Sequence, residues 1–292
     1  MNKNAYSIKD IIEYSVLRFF LILFNLLPIK ISRKIGSRIF LFFGKLSKYH
    51  LIAIQNCKIV FPDLKKKEIN SIINKSWENL GQTIFELIKL KALFEDKKLI
   101  KVIGKENIKE IKNRNIPSIY ISIHHSNWEI AVPLLDRLGI HTGAIYRHIN
   151  NSLIDKLIFQ KRNASLISKN SFYTPKGKKS AKDIIEGIKI NKSIFLLIDQ
   201  KDSAGENISL FGKNAKTQIG FLKIARKYNM PIIPMQNQRL ENGKFEITFH
   251  KPIYNNNKAI SDKTTMLNIH KMIEKWIKSK PDQWFWQHNR FN

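Results

Sequence analysis

Residues 119–130 read Ile-Tyr-Ile-Ser-Ile-His-His-Ser-Asn-Trp-Glu-Ile. Ile119, Ile121 and Ile123 alternate with Tyr120, Ser122 and His124, the period of two that marks a strand, and the alternation stops at His124. The pattern delivers a histidine to the carboxyl end of a strand. Asn127 is a capping residue type and predicts a helix opening at Trp128, with Glu129 in its first turn. On that reading His124 and Glu129 can touch, while alternation sends His125 to the opposite face, where its loss should be mild. An imidazole whose Nδ1–H is held by a carboxylate keeps Nε2 as a lone pair and can take a proton from a hydroxyl. Two members of a serine-type triad are then present, and the substrate supplies the nucleophile. A plainer reading fits the same residues: strand-end histidines are often partnered by nearby backbone, and an acid early in a helix complements its dipole.

Outward from this stretch, strands and helices alternate. Before it, Leu99 to Gly104 reads as a strand, joined to Ser118 by a polar connection over Lys105 to Asn115. After it come a helix over 128–138, a strand over 142–146 and a helix over 152–162. The pattern continues with a helix over 182–189, a strand over 193–199, a helix over 218–228, strands over 232–236 and 245–249, and a helix over 263–279. This order predicts an α/β fold, a mixed but mostly parallel sheet flanked by helices. Further upstream, a helix from about Asp63 to Leu93 carries Ile69, Ile73, Trp77, Leu80 and Leu87 at core spacing. The expected division is a membrane-associated helical segment over 1–46, a helical lead-in over 47–94 and the α/β domain over 95–292.

The first 46 residues decide whether a membrane is involved. Ile11 to Leu27 is mostly apolar but contains Glu13, Arg18 and Asn25, and a mid-span arginine is costly in hydrocarbon. No small-residue cleavage site follows, so a removed signal peptide is not expected. Ile29 to Leu46 mixes Lys30, Arg33, Lys34, Arg38 and Lys45 with Phe40, Leu41, Phe42 and Phe43, a combination suited to an anionic bilayer surface. Helices lying on the membrane are therefore expected rather than a span, against the alternative of an amphipathic pair belonging to the core. The whole chain holds 51 Lys+Arg against 23 Asp+Glu, a formal charge of +28. That charge suits an acidic protein, a phosphorylated substrate or an anionic membrane. Nucleic acid is not expected as the partner, because aromatics do not interleave with the lysines as on a stacking platform. A single cysteine, Cys57, excludes a disulfide framework and a thiolate metal cluster. No nucleotide loop or metal-ligand spacing is present, so neither cofactor nor metal is expected.

The block His-His-Ser-Asn-Trp-Glu at 124–129 resembles the H-x-x-x-x-(D/E) block of glycerolipid and lipid A acyltransferases, and its Asn-Trp-Glu ending is most similar to the lipid A lauroyl/myristoyl acyltransferase family. Ser126 stands where that family more often has glycine. Four further blocks carry the resemblance: Tyr146-Arg147 with Asn151 and Asp155, together with Arg162; Asp199-Gln200; Phe211-Gly212 with Ala215, Thr217 and Gly220; and Pro281 to Phe291, Pro-Asp-Gln-Trp-Phe-Trp-Gln-His-Asn-Arg-Phe. Asn56 to Leu64, with its Phe-Pro-Asp-Leu ending, is looser. The resemblance implies transfer of a fatty acyl chain from acyl carrier protein to a hydroxyl of a phosphorylated glycolipid, a lipid A precursor, at the cytoplasmic face of the inner membrane. It implies His124 as base and Glu129 as its partner. Arg147, Arg162 and Asp199 would meet substrate phosphate or the oxyanion, and Asn127, Phe211, Gly212 and Thr217 would line the acyl or substrate pocket. The Phe211 loop is expected to feed a helix N-terminus. The open alternatives are a lysophospholipid or another glycolipid as acceptor, and a basic membrane- or nucleic-acid-binding module without activity.

Overall fold

A computed structural model of the chain describes residues 6–257 and 259–291. Its centre is strand β2 (Ile119–Ser122), which runs parallel to β5 (Ser193–Leu197) on one side and β8 (Ile232–Arg239) on the other. With β1 (Ile100–Ile103), β3 (Thr142–Tyr146), β4 (Phe172–Pro175) and β9 (Phe245–Phe249), the seven strands run in the order β1-β9-β8-β2-β5-β3-β4. Only β8 and β9 pair antiparallel within this sheet. The mixed, mostly parallel α/β sheet is thus the one the alternation predicts.

The two faces of β2 feed two cores. Ile119, Ile121 and Ile123 join Ile73, Trp77, Ile273, Trp284 and Trp286 on one face. Tyr120 turns the other way, to Leu134, Leu135, Ile233 and Phe245. Both faces being covered, every residue of β2 is buried, Ser122 included. The long helix α4 (Lys66–Ile88) lies in the first of these cores and not before it. Helices α1 (Ile8–Leu26), α2 (Ile29–Leu46) and α3 (Lys48–Val60) lead into it. Helix α2 crosses α4 at a pair of glycines: a Cβ on Gly81 would stand 2.2 Å from the Gly36 carbonyl oxygen, so only glycine permits this approach.

The polar connection expected over Lys105 to Asn115 is a helix, α5 (Glu106–Asn113), because Ile108 and Ile111 recur at helical spacing and are buried. Helix α6 (Ala131–Arg137) follows β2 after a short 3-10 turn at Trp128–Ile130. Helices α7 (Ser152–Ala164), α8 (Lys178–Lys189), α9 (Gly220–Lys227) and α10 (Asp262–Ser279) lie close to their expected places. A hairpin of β6 (Glu206–Leu210) and β7 (Lys213–Thr217) stands apart from the main sheet and packs on α10. Among the described residues no helix is long and apolar enough to cross a membrane.

Candidate active site

The site follows from strand register. Parallel pairing sets Ile119 beside Ile194 and Ser122 beside Leu197, so continuing both chains past the sheet brings His124 level with Asp199. His124 Nδ1 lies 2.8 Å from Asp199 Oδ1, and the His124 backbone N–H donates to Oδ2 at 3.0 Å. Trp284 Nε1 donates to the same Oδ2 at 2.8 Å. Burial alone would raise the Asp199 carboxyl, but the His124 ring and these donors overcome it and hold it down to about 2. Asp199 is therefore ionised at neutral pH and accepts a proton-bearing Nδ1, which leaves the lone pair of His124 on Nε2. The His124 side chain keeps 15% of its surface exposed while Asp199 keeps 3%, so the base is reachable and its partner is sealed.

Glu129 does sit in the first turn after Asn127, whose side chain accepts its backbone N–H at 3.0 Å. The acid that holds His124 is nonetheless Asp199 and not Glu129. Both oxygens of Glu129 are taken by Arg162, from Nε at 2.8 Å and from Nη2 at 2.6 Å, and Trp128 Nε1 adds a third bond at 3.2 Å. Burial pushes the Glu129 carboxyl up, but the Arg162 guanidinium outweighs it and the net direction is down. Arg162, expected at a phosphate or the oxyanion, instead spends two of its three nitrogens on Glu129, and its guanidinium carbon lies 5.5 Å from the Tyr146 ring centroid.

Other expected pocket residues serve the scaffold. Asn127 is fully buried; its amide donates to Glu86 at 2.8 Å and its carbonyl accepts from Asn237. Glu86 itself pairs with Arg33 of α2 and Arg239 of β8, and burial, which would raise its carboxyl, is outweighed by these two cations. Phe211 and Gly212 form the two-residue tip of the β6–β7 hairpin, with φ of 52° and 72°, and feed no helix. The Phe211 N–H donates to Glu274 of α10 at 2.6 Å. Thr217 is buried and accepts from Arg290 at 2.7 Å. Arg147 is exposed, close enough for its charge to bear on the His288 ring, which burial pushes down to about 4.

The closing segment has a definite task that its sequence left open. Ser126 N–H donates to the Gln283 carbonyl and Phe285 N–H to the His124 carbonyl, both at 2.9 Å, so residues 283–285 form a strap along the histidine turn. His125 is buried beneath, its Nδ1 2.8 Å from the Asn237 carbonyl and Nε2 2.9 Å from that of Lys280. It points away from His124, yet it holds structure and is not idle. Ser126 adopts a φ of 56°, the left-handed region that favours glycine, and its buried hydroxyl has no partner.

A family model described as "Bacterial lipid A biosynthesis acyltransferase" matches residues 3–292. The chain belongs to that family. It is an acyltransferase, and the histidine turn, the Asp199 strand end and the closing strap all lie within the matched residues. The chain is similar to a "Lipid A biosynthesis lauroyltransferase" of Escherichia coli (strain K12), 23% identical over 249 residues, covering 82% of this chain and 78% of the relative. It also has some likeness to the 1-acyl-sn-glycerophosphate acyltransferase PlsC of Thermotoga maritima, with a TM-score of 0.41 and 14% identity, covering 88% of this chain and 99% of that one.

Proposed function

We propose that this acyltransferase moves a fatty acyl chain from acyl carrier protein to a hydroxyl of a phosphorylated lipid A precursor, a late acylation, with His124 as general base. The observation that carries the reading is the 2.8 Å contact between His124 Nδ1 and buried Asp199, which leaves Nε2 as the proton acceptor. His124 Nε2 takes the hydroxyl proton as the oxygen attacks the thioester carbonyl. The tetrahedral adduct then collapses, the C–S bond breaks, and the imidazolium returns the proton to the leaving thiolate. Asp199 stabilises the imidazolium between these steps, and no acyl-enzyme is needed. Glu129 and Arg162 clamp the turn to α7, and Arg147 at the rim receives phosphate.

The excess of cations over acids, +28 in all, favours encounter with an acidic carrier protein and a phosphorylated acceptor. Helices α1 and α2 expose Ile12, Phe19, Leu23, Phe42 and Phe43, a surface suited to lying in the headgroup region of the inner membrane's cytoplasmic leaflet. Purified protein should acylate a tetra-acylated lipid A precursor with an acyl carrier protein thioester, at rates that fall as salt rises. Equal rates with a coenzyme A thioester and no salt dependence would remove the carrier protein from the reading. Unchanged lipid A in cells lacking the gene, by mass spectrometry, would remove the acceptor.

A further inference from the structure

Building on the proposed transfer reaction, we propose that Gln200 is its oxyanion donor, with the side-chain amide aimed at the point where charge collects on the thioester carbonyl oxygen. Gln200 follows Asp199 directly, and its Nε2 lies 3.3 Å from His124 Nε2. Because the His124 proton is committed to Asp199, that ring nitrogen is an acceptor, and only the NH2 end of the amide can face it. The donor is thus oriented before any substrate arrives. It is also anchored on both sides: Asp199 is fixed by His124 and Trp284, and the Lys201 backbone N–H donates to His288 Nε2 at 2.8 Å. Of the two arginines the resemblance offered for this task, Arg162 spends its Nε and Nη2 on Glu129, while Arg147 stands exposed.

The distances close around a tetrahedral adduct. The attacking oxygen sits about 2.8 Å from the base, the oxyanion roughly 2.3 Å from that oxygen, and a donor about 2.9 Å from the oxyanion. The 3.3 Å from Gln200 Nε2 to His124 Nε2 is compatible with the fourth side of that ring of contacts. As the hydroxyl oxygen bonds to carbon, its proton passes to His124 and the carbonyl electron pair moves to oxygen, where Gln200 N–H meets it. When the C–S bond breaks that pair reforms the carbonyl, and the proton leaves with the thiolate. A neutral amide suits the position because it donates without competing for the proton.

The experiment compares wild type, Gln200→Ala and His124→Ala in transfer from a dodecanoyl thioester of acyl carrier protein to a tetra-acylated lipid A precursor. The expected result for Gln200→Ala is a kcat lower by about 100- to 1,000-fold, with KM for either substrate within about threefold and an unchanged melting temperature. A kcat close to wild type overturns the proposal, and so does a faster variant, which would make Gln200 a plug over the base. Gln200→Glu supplies a readout without substrate: a carboxylate beside Nε2 should raise the His124 titration followed by NMR, and an unmoved titration removes the contact on which the proposal stands. Wild type as inactive as His124→Ala would instead defeat the transfer reaction beneath it, while the titration still decides the placement of Gln200.

Discussion

Two buried carboxylates flank the turn after β2, and they do opposite work. Asp199 holds the Nδ1 side of the His124 ring, so its charge is best matched when His124 takes the hydroxyl proton, and the interaction strengthens as the reaction proceeds. Glu129 faces Arg162, whose guanidinium is charged at every relevant pH, so the pair is satisfied before substrate arrives and has nothing further to gain. The contrast shows why proximity in sequence misleads here. An acid near a histidine serves that histidine only if no stronger cation claims it first.

Removing the base should break the Asp199 side of this comparison most. His124→Ala should cost about 100- to 10,000-fold in transfer rate, and Asp199→Asn should cost a similar factor by favouring the wrong tautomer while leaving the fold intact. Rates and circular dichroism on the same preparations check it; an active Asp199→Asn would hand the role back to Glu129. Asp199 also ties stability to acid. Its folded-state value near 2 lies below its ordinary 3.8, so its contribution of about 2 kcal/mol is present above pH 4 and fades as pH falls through 2. The Asp199→Asn variant, once folded, should lack that part of the acid-unfolding curve.

Cutting the other pair should act on folding. Glu129→Ala leaves Arg162 buried without its counter-charge, and a loss of about 3–5 kcal/mol in urea unfolding is expected. Adding Arg162→Ala should recover part of that loss, and simple additivity of the two would show that no clamp exists. Beneath the same turn, His125→Ala strips the single imidazole N–H from whichever buried carbonyl it serves, that of Asn237 or that of Lys280, at a cost of roughly 1–3 kcal/mol. An effect below that range would restore the mild outcome that strand alternation suggests. The smallest change has the opposite sign. Ser126→Gly relieves a left-handed serine and deletes a buried hydroxyl without a partner, for a gain of about 1 kcal/mol by thermal melting.

Much of the architecture is local and was therefore legible. Hydrophobic periodicity places β2, β3, β8, β9 and the helices α7 and α10, because each must turn one stripe toward a core. The β6–β7 hairpin was less visible: Lys213, Asn214 and Lys216 give its second strand a polar face, and Phe211 at the tip reads as part of a motif and not as a turn residue. Helix α5 was hidden in the same way by its many charges.

The sequence by itself determined that a histidine ends a buried strand, that an acid ends another, and that Asn127 caps the turn carrying Glu129. These follow from alternation and capping, which act over a few residues. Which acid meets which base was decided only by tertiary structure. Strand β5 lies beside β2 in a register fixed by the packing of both sheet faces, and that register carries Asp199 to His124 across 75 residues of chain. Helix α7 likewise brings Arg162 to Glu129 from 33 residues away, and the closing strap returns Trp284 to Asp199 from 85. No local propensity encodes such meetings, because the energy that selects them is shared among all the side chains buried between the elements.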